Sequence, residues 1–184
     1  EVKECLRQAG DQIQEMARMV EYSLTVARAH ESRWRKEPLD FAALLRSSAE
    51  TCQMLNAGAG AVLTLRLPRV APMIQGDSDM LGRAVQNLLD NAFRHTKDGE
   101  IVLSLERAGS RLVMTVADTG EGIDPELLPR VFERGVSGDA GTGYGLAICK
   151  AVAESHGGEI GIESEPGKGT AVRFSVPVWR ETAL

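Results

Sequence analysis

Long hydrophobic runs are missing from this sequence of 184 residues. No uncharged apolar stretch approaches the ~18 residues a membrane-spanning helix needs, so no span is expected within it. No signal-peptide pattern opens the chain. Cysteine is scarce: Cys5, Cys52 and Cys149 lie far apart and in no metal-ligand spacing. Their odd number and helix-like surroundings read as reduced thiols in a cytoplasmic setting. The three histidines have no clustered cysteines beside them, which argues against zinc. Positive charge is in deficit, with 21 Lys and Arg against 26 Asp and Glu, for a net charge of −5. That balance argues against nucleic acid or a membrane surface as a general partner. There is no internal repeat with a period of ~20–50 residues, which excludes a solenoid. The first residue is Glu1 rather than methionine, so the chain reads as a piece of a longer protein.

What is present is ordinary for a globular protein, with 43% hydrophobic and 26% charged residues, enough to bury a sizeable core. Residues 1–30 read as one long helix. Leu6, Ile13, Val20 and Ala27 recur every seven residues, and Val2, Ala9, Met16 and Ser23 form a companion seam. This heptad pattern predicts packing in a helical bundle, or else against the chain's own domain. Residues 31–37, highly charged and followed by Pro38, read as a linker.

Beyond the linker, residues 38–184 predict one domain. Asp40 caps a helix carrying Leu44, Leu45, Ala49 and Met54, closed by Gly58 and Gly60. Residues 62–67 alternate as a strand, and 70–74 read as a second. Gly76-Asp77 opens a helix that runs to about His95. Residues 101–106 and 112–117 form two strands joined near Gly109. A glycine-rich stretch over 118–145 carries a short helix near residues 126–132. A further helix covers about 143–155, and a hairpin around Gly167 pairs 159–163 with 171–176. Separated helices with mostly antiparallel strands predict an α+β fold, a two-layer sandwich.

Three motifs carry candidate chemistry. Asn87 and Asn91 lie four apart on one helix and share a face. An amide oxygen is a hard ligand for Mg²⁺, and an amide also orients water or hydroxyl groups; the alternative is a pair of surface asparagines. Asp118-Thr119-Gly120-Glu121-Gly122-Ile123 closes a strand with a carboxylate beside two glycines. Such a carboxylate can accept from the exocyclic amine of adenine, and the alternative is an ordinary loop. Gly141-Thr142-Gly143-Tyr144-Gly145-Leu146 runs into a helix N-terminus. Bare N–H groups and the helix dipole there suit phosphate. It is neither a P-loop nor a dinucleotide fingerprint.

Taken together, Asn87 and Asn91, Asp118-x-Gly-x-Gly, Phe132 and Gly141-x-Gly-x-Gly-Leu resemble the asparagine, first glycine, phenylalanine and second glycine boxes of sensor histidine kinases. These belong to the GHKL superfamily, with gyrase, chaperone and mismatch-repair ATPases. Gly167-Lys168-Gly169-Thr170 resembles the further glycine motif near the end of that domain. The resemblance implies a Bergerat-type ATP-binding sandwich, a mixed sheet packed on three helices. It implies that Asn91 holds Mg²⁺, that Asn87 sits near the γ-phosphate and orients the attacking group, and that Asp118 reads adenine, with Gly120 and Gly122 leaving room for the base. Arg94 would meet phosphate and His95 adenine or ribose. Gly141, Gly143 and Gly145 would approach the phosphates, Ile123, Thr142, Tyr144, Leu146 and Thr170 would also belong to the nucleotide site, and Phe132 would anchor a lid over 133–142. His95 stands where tyrosine is usual, Gly135 where a second phenylalanine is common, and Tyr144 where leucine is common.

The same resemblance implies transfer of the ATP γ-phosphate to a histidine, and then to an aspartate of a response-regulator receiver domain. His30-Glu31-Ser32-Arg33 imitates the start of the phosphoacceptor motif, but Pro38 follows at the wrong distance and no second helix comes before the domain. His30 and His156 read as helix-end residues. Residues 1–30 instead resemble the second helix of the dimerisation hairpin. The chain is expected to bind ATP and Mg²⁺ without phosphorylating itself, and its parent, anchored in a membrane or not, to be a homodimer through this helix. An anti-sigma-type serine kinase would usually lack the heptad helix. An ATP-gated ATPase would usually carry glutamate in place of Asn87. A purely helical interaction module would require the glycine boxes to be plain loops.

Overall fold

The computed structural model describes residues 2–30, 37–138 and 143–179. Helix α1 spans Val2–His30. Strand β1 (Glu37–Leu39) and helix α2 (Phe41–Leu55) follow, then β2 (Gly60–Arg66), β3 (Ile74–Gly76) and helix α3 (Ser78–His95). Strands β4 (Asp98–Ala108) and β5 (Arg111–Asp118), helix α4 (Gly145–Ser155), and strands β6 (Glu159–Glu165) and β7 (Gly169–Pro177) complete the order.

Five strands form one sheet in the order β2-β4-β5-β7-β6. β2 runs parallel to β4, and the remaining pairs are antiparallel, so the sheet is mixed. Period-two alternation turns Leu63, Ile101, Leu103, Leu105, Leu112, Met114, Val116, Val172, Phe174 and Val176 into one buried layer. Helices α2, α3 and α4 cover that layer. On α2, Phe41, Leu45, Ala49 and Cys52 are fully buried, at the spacing of one helical face. The Asp40 carboxylate accepts from the Ala43 amide at 3.0 Å and starts this helix. Asp77 starts α3 in the same way, accepting from the amides of Asp79 and Met80 at 3.0 and 3.1 Å. The expected α+β sandwich of a mixed sheet on three helices is what forms.

Several local expectations differ from the structure. The predicted strand over residues 70–74 is reduced to β3, because Pro68 and Pro72 lack an amide to give to a ladder. β3 pairs instead with β1 in a separate two-stranded sheet, with Leu39 opposite Ile74 and Pro38 opposite Gln75. Glu37, assigned to the linker, therefore belongs to a strand, while residues 31–36 lie outside the described ones. The short helix near 126–132 is one 3-10 turn at Leu128–Arg130. Met54 is exposed, not a core residue of α2. His156 is not a simple helix-end residue: it is buried, and its Nε2 accepts from the Asp77 amide at 3.1 Å. It thereby ties the end of α4 to the start of α3.

Helix α1 lies against α4 with a face different from its heptad seam. Thr25 is buried, and the Tyr22 and Tyr144 rings stand 5.8 Å apart between centroids. Glu21 pairs with Arg83 at 3.1 Å. Ile13, Met16 and Val20 of the heptad seams remain exposed. No helix among the described residues is long and apolar enough to cross a membrane.

Candidate functional site

The second half of α3 presents Asn87, Asn91, Arg94 and His95 at intervals that keep them on neighbouring faces. Asn91, Arg94 and His95 border a cavity of about 550 Å³. Its apolar wall includes Leu88, Ala92, Val116, Ile123, Ile162 and Val172. Asn91, Arg94, His95, Asp118, Gly122, Ile123, Gly143, Gly145, Leu146 and Thr170 all line it, as the motifs predict. Asn87 does not reach the wall. It is buried behind it at 6% exposure, with its amide oxygen accepting from Arg18 Nη1 at 2.8 Å. Gly120 and Tyr144 stand outside the lining, and Gly141 and Thr142 lie outside the described residues. Phe132 lines a second groove, of about 720 Å³, with Tyr22 and Val26 of α1 and Lys150 of α4.

One end of the cavity is built around Asp118, the last residue of β5. Its Oδ1 accepts from the Gly120 amide at 2.9 Å and from the Thr170 amide at 3.3 Å. Burial pushes its carboxyl above the usual carboxylate range, against the opposing effect of those two amides and of nearby His95. A side chain at Gly120 would run into the His95 carbonyl, and its Cβ would sit 2.8 Å from Thr96 Oγ1 and 2.9 Å from Asp118 Oδ1. Glycine is required there by close approach. His95 Nδ1 meets Glu121 Oε1 at 2.7 Å beside this end.

The other end lies at the start of α4, whose first turn has no side-chain cap. A Cβ at Gly145 would lie 3.7 Å from the Asn91 amide nitrogen and 4.0 Å from Asn87 Cβ, so the asparagines and the helix N-terminus meet. Unpaired amides and the positive end of the helix dipole favour an anion here. The segment before α4 is pinned where the Gly135 amide donates to the Gly143 carbonyl at 3.1 Å. Gly143 has a φ of 68°, a left-handed conformation that a side chain resists.

Among the described residues the buried Asn87 Nδ2 lacks a partner. A buried group left unsatisfied is costly, so it points to a ligand or water that completes it. At the other end of the cavity the Thr96 hydroxyl favours the charged form of Asp118. Apart from Ile123 and Leu146, the apolar wall residues were not singled out from sequence, nor were the polar Thr96, Glu121 and Arg18. Thr96 follows the asparagine motif and Glu121 sits inside the Asp118 motif, so both were within reach of its reading. Arg18 comes from 69 residues away, and its only signal is the spacing it shares with Tyr22 and Thr25 on α1.

Residues 76–180 match the family model described as "Histidine kinase-, DNA gyrase B-, and HSP90-like ATPase". The chain belongs to that family. It is 36% identical over 187 residues to "Sensor protein SrrB" of Staphylococcus aureus (strain N315), covering 96% of this chain and 32% of that relative. The chain thus spans about a third of the length of the curated relatives it matches. Among solved structures, full-length ShkA in complex with AMPPNP superposes with a TM-score of 0.80 at 30% identity, covering 97% of this chain and 38% of that one. The mycobacterial sensor histidine kinase MprB superposes with a TM-score of 0.70 at 30% identity, covering 78% of this chain and 97% of that one. This chain carries the ATP-binding catalytic domain of a sensor histidine kinase.

Proposed function

We propose that the cavity binds ATP with its adenine at Asp118 and its phosphates at the start of α4. The observation that carries this reading is the Asp118 end: a carboxylate held by two backbone amides, beside a glycine that admits no side chain. Asp118 accepts from the adenine amine, and Thr170, Gly120, Gly122 and Ile123 shape the space around the base. Arg94, Gly143, Gly145 and Leu146 serve the phosphates, with Asn87 behind the wall near the terminal one. The AMPPNP bound to ShkA supports a nucleotide in the corresponding fold.

No cluster of three or more His, Cys, Asp or Glu able to hold a metal exists among the described residues. A divalent ion would therefore depend on the nucleotide for most of its ligands, which is how Mg²⁺ is usually held. Asn91 is the residue to supply the protein's share. When bound, Mg²⁺ neutralises phosphate charge during transfer.

The transfer itself goes to a histidine, and from there to a response-regulator receiver aspartate. Phosphoryl transfer needs positioning and charge neutralisation more than covalent work by the protein, and the arrangement of amides, arginine and helix N-terminus supplies that. Residues 1–30 serve as the second helix of a dimerisation hairpin, followed by a linker that ends before Glu37 of β1, and the remainder as the catalytic domain. The long α1 and the identity to a sensor protein across 96% of the chain favour this over a serine kinase.

Calorimetric titration with ATP and Mg²⁺ tests the reading. Binding is expected for the wild type, lost in Asp118→Ala, and stripped of its Mg²⁺ dependence in Asn91→Ala. Equal binding by all three proteins would overturn it.

A further inference from the structure

Among the described residues, Arg18 is the one residue of α1 on the wall of the cavity. Its Nη1 donates to Asn87 Oδ1 at 2.8 Å, and among the described residues it makes no other hydrogen bond or ion pair. A guanidinium has five N–H donors, so one such bond leaves the group largely unused. Its charge has no carboxylate partner among the described residues, although acidic groups outnumber basic ones in this chain. Among the described residues, Arg18 and Arg94 are the arginines on the cavity wall, and no lysine lines it.

The position of Arg18 is fixed from several directions. Residues 18, 21, 22 and 25 share one face of α1. Glu21 pairs with Arg83 of α3, Tyr22 packs on Tyr144 ahead of α4, Arg134 stands 5.8 Å over the Tyr22 ring, and Thr25 is buried. The face ends at Asn87, beside Asn91 and the uncapped first turn of α4. Arg18 thus reaches the anion-favouring end of the cavity from a different helix, in front of an amide that does not itself reach the wall.

We propose that Arg18 takes the terminal phosphate of a nucleoside triphosphate, so that triphosphate binding and docking of α1 reinforce each other. This rests on the assignment of the cavity to ATP. A planar guanidinium suits a phosphate through parallel N–H···O bonds, and one of its nitrogens is already held by Asn87. A diphosphate lacks the group that Arg18 meets. Because coupling is reciprocal, whatever favours the docked helix must favour triphosphate by the same factor. The nucleotide state is thereby read by helix α1.

The test compares affinities for a non-hydrolysable ATP analogue and for ADP, both with Mg²⁺, in four proteins. Arg18→Ala should weaken the triphosphate about tenfold, as befits one lost charge-assisted hydrogen bond, and leave ADP nearly unchanged. Glu21→Arg repels Arg83 and loosens α1 without altering a cavity residue. It should lower the preference for triphosphate in the same direction. Glu21→Arg combined with Arg83→Glu restores opposite charges and should restore the preference. An unchanged triphosphate-to-diphosphate ratio in Arg18→Ala would overturn the inference while leaving the ATP site standing. A gain in triphosphate affinity would overturn it too, since Arg18 would then be competing for Asn87. Loss in Arg18→Ala without loss in Glu21→Arg would remove the coupling to the helix. If the wild type bound neither nucleotide, the ATP reading itself would fall.

Discussion

Asp118 and Thr170 are the last register pair of β5 and β7, and the Thr170 amide donates to the Asp118 carboxylate at 3.3 Å. Strand pairing thus sets the carboxylate in place before any ligand arrives. The same oxygen also accepts from the Gly120 amide, and Asp118 lines the cavity. Asp118→Asn keeps an acceptor for both amides but offers an NH₂ group where the adenine amine needs an acceptor. Its affinity for ATP should fall about 100-fold, the cost of replacing an accepting charge by an unpaired donor. Its melting temperature should stay close to that of the wild type. Calorimetry and a thermal melt separate the two, and wild-type affinity in the variant would count against adenine at this carboxylate.

The pH dependence of the site follows from the burial of Asp118. Its carboxyl is raised above the usual range, chiefly by desolvation. The folded protein therefore holds this proton more readily than the unfolded chain does. The stability tied to Asp118 is greatest when it is protonated and declines as pH rises from the ordinary carboxylate value through the raised one. Binding runs the other way, because the adenine amine needs the ionised form. Affinity for ATP should weaken as pH falls through the raised value, at a pH where an ordinary aspartate is still ionised. Titrations carried downward from neutral pH would show this slope in the wild type and a flatter one in Asp118→Asn. Identical slopes would dissociate Asp118 from the nucleotide.

The parts of the fold legible in the sequence were those where one local rule decides. Asp40 and Asp77 announce their helices because a carboxylate at that position satisfies free amides. β5 is legible because Leu112, Met114 and Val116 alternate with polar or half-buried neighbours. β1 was not, since a three-residue strand containing Pro38 has no periodicity and exists only through its pairing with β3. The site divides in the same way. Asn91, Asp118 and Gly145 sit in compact motifs. Arg18 joins them only because α1 packs against α4, a tertiary contact that no local spacing encodes.

His156 joins two helices that carry the site. Its Nε2 accepts from the Asp77 amide at 3.1 Å while its Nδ1 lies 2.8 Å from the Val152 carbonyl. A carbonyl only accepts, so the proton belongs on Nδ1 and the ring is neutral. Replacement by alanine empties a buried ring and orphans an amide at the start of α3. His156→Ala should destabilise the protein by about 2–4 kcal/mol. Urea denaturation measures this. A loss below about 0.5 kcal/mol would mean that α3 and α4 are positioned by apolar packing alone.

Two cysteines are sealed in the helical layer. Cys149 is fully buried, its Sγ 3.4 Å from the Ala84 carbonyl, and burial drives its thiol far above the ordinary range. Cys52 is raised as well, first by burial and then by the charge of Asp90. Since the thiolate is the reactive form, neither should react with iodoacetamide at pH 8 while the protein is folded. Both should be labelled fully in urea. Peptide mass spectrometry resolves the two sites, and native labelling of Cys149 at the unfolded rate would show that the α3–α4 layer opens readily.

Helix α1 uses one face on its own domain and leaves another free. Ile13, Met16 and Val20 are 67%, 67% and 58% exposed, while Thr25 on the docked face is 6% exposed. Apolar residues recurring at heptad spacing and left in water favour a second helix. If that helix comes from another copy of the chain, sedimentation should show a dimer whose population rises with concentration. Val20→Asp places a charge in the seam and should shift the equilibrium to monomer. The melting temperature of the catalytic domain should hold, because Val20 is not among its buried contacts. ATP affinity should hold as well, because Arg18, Glu21, Tyr22 and Thr25 occupy the other face. A monomer at every concentration in the wild type would assign the seam to a different helix. A fall in ATP affinity with Val20→Asp would mean that the two faces of α1 are not independent.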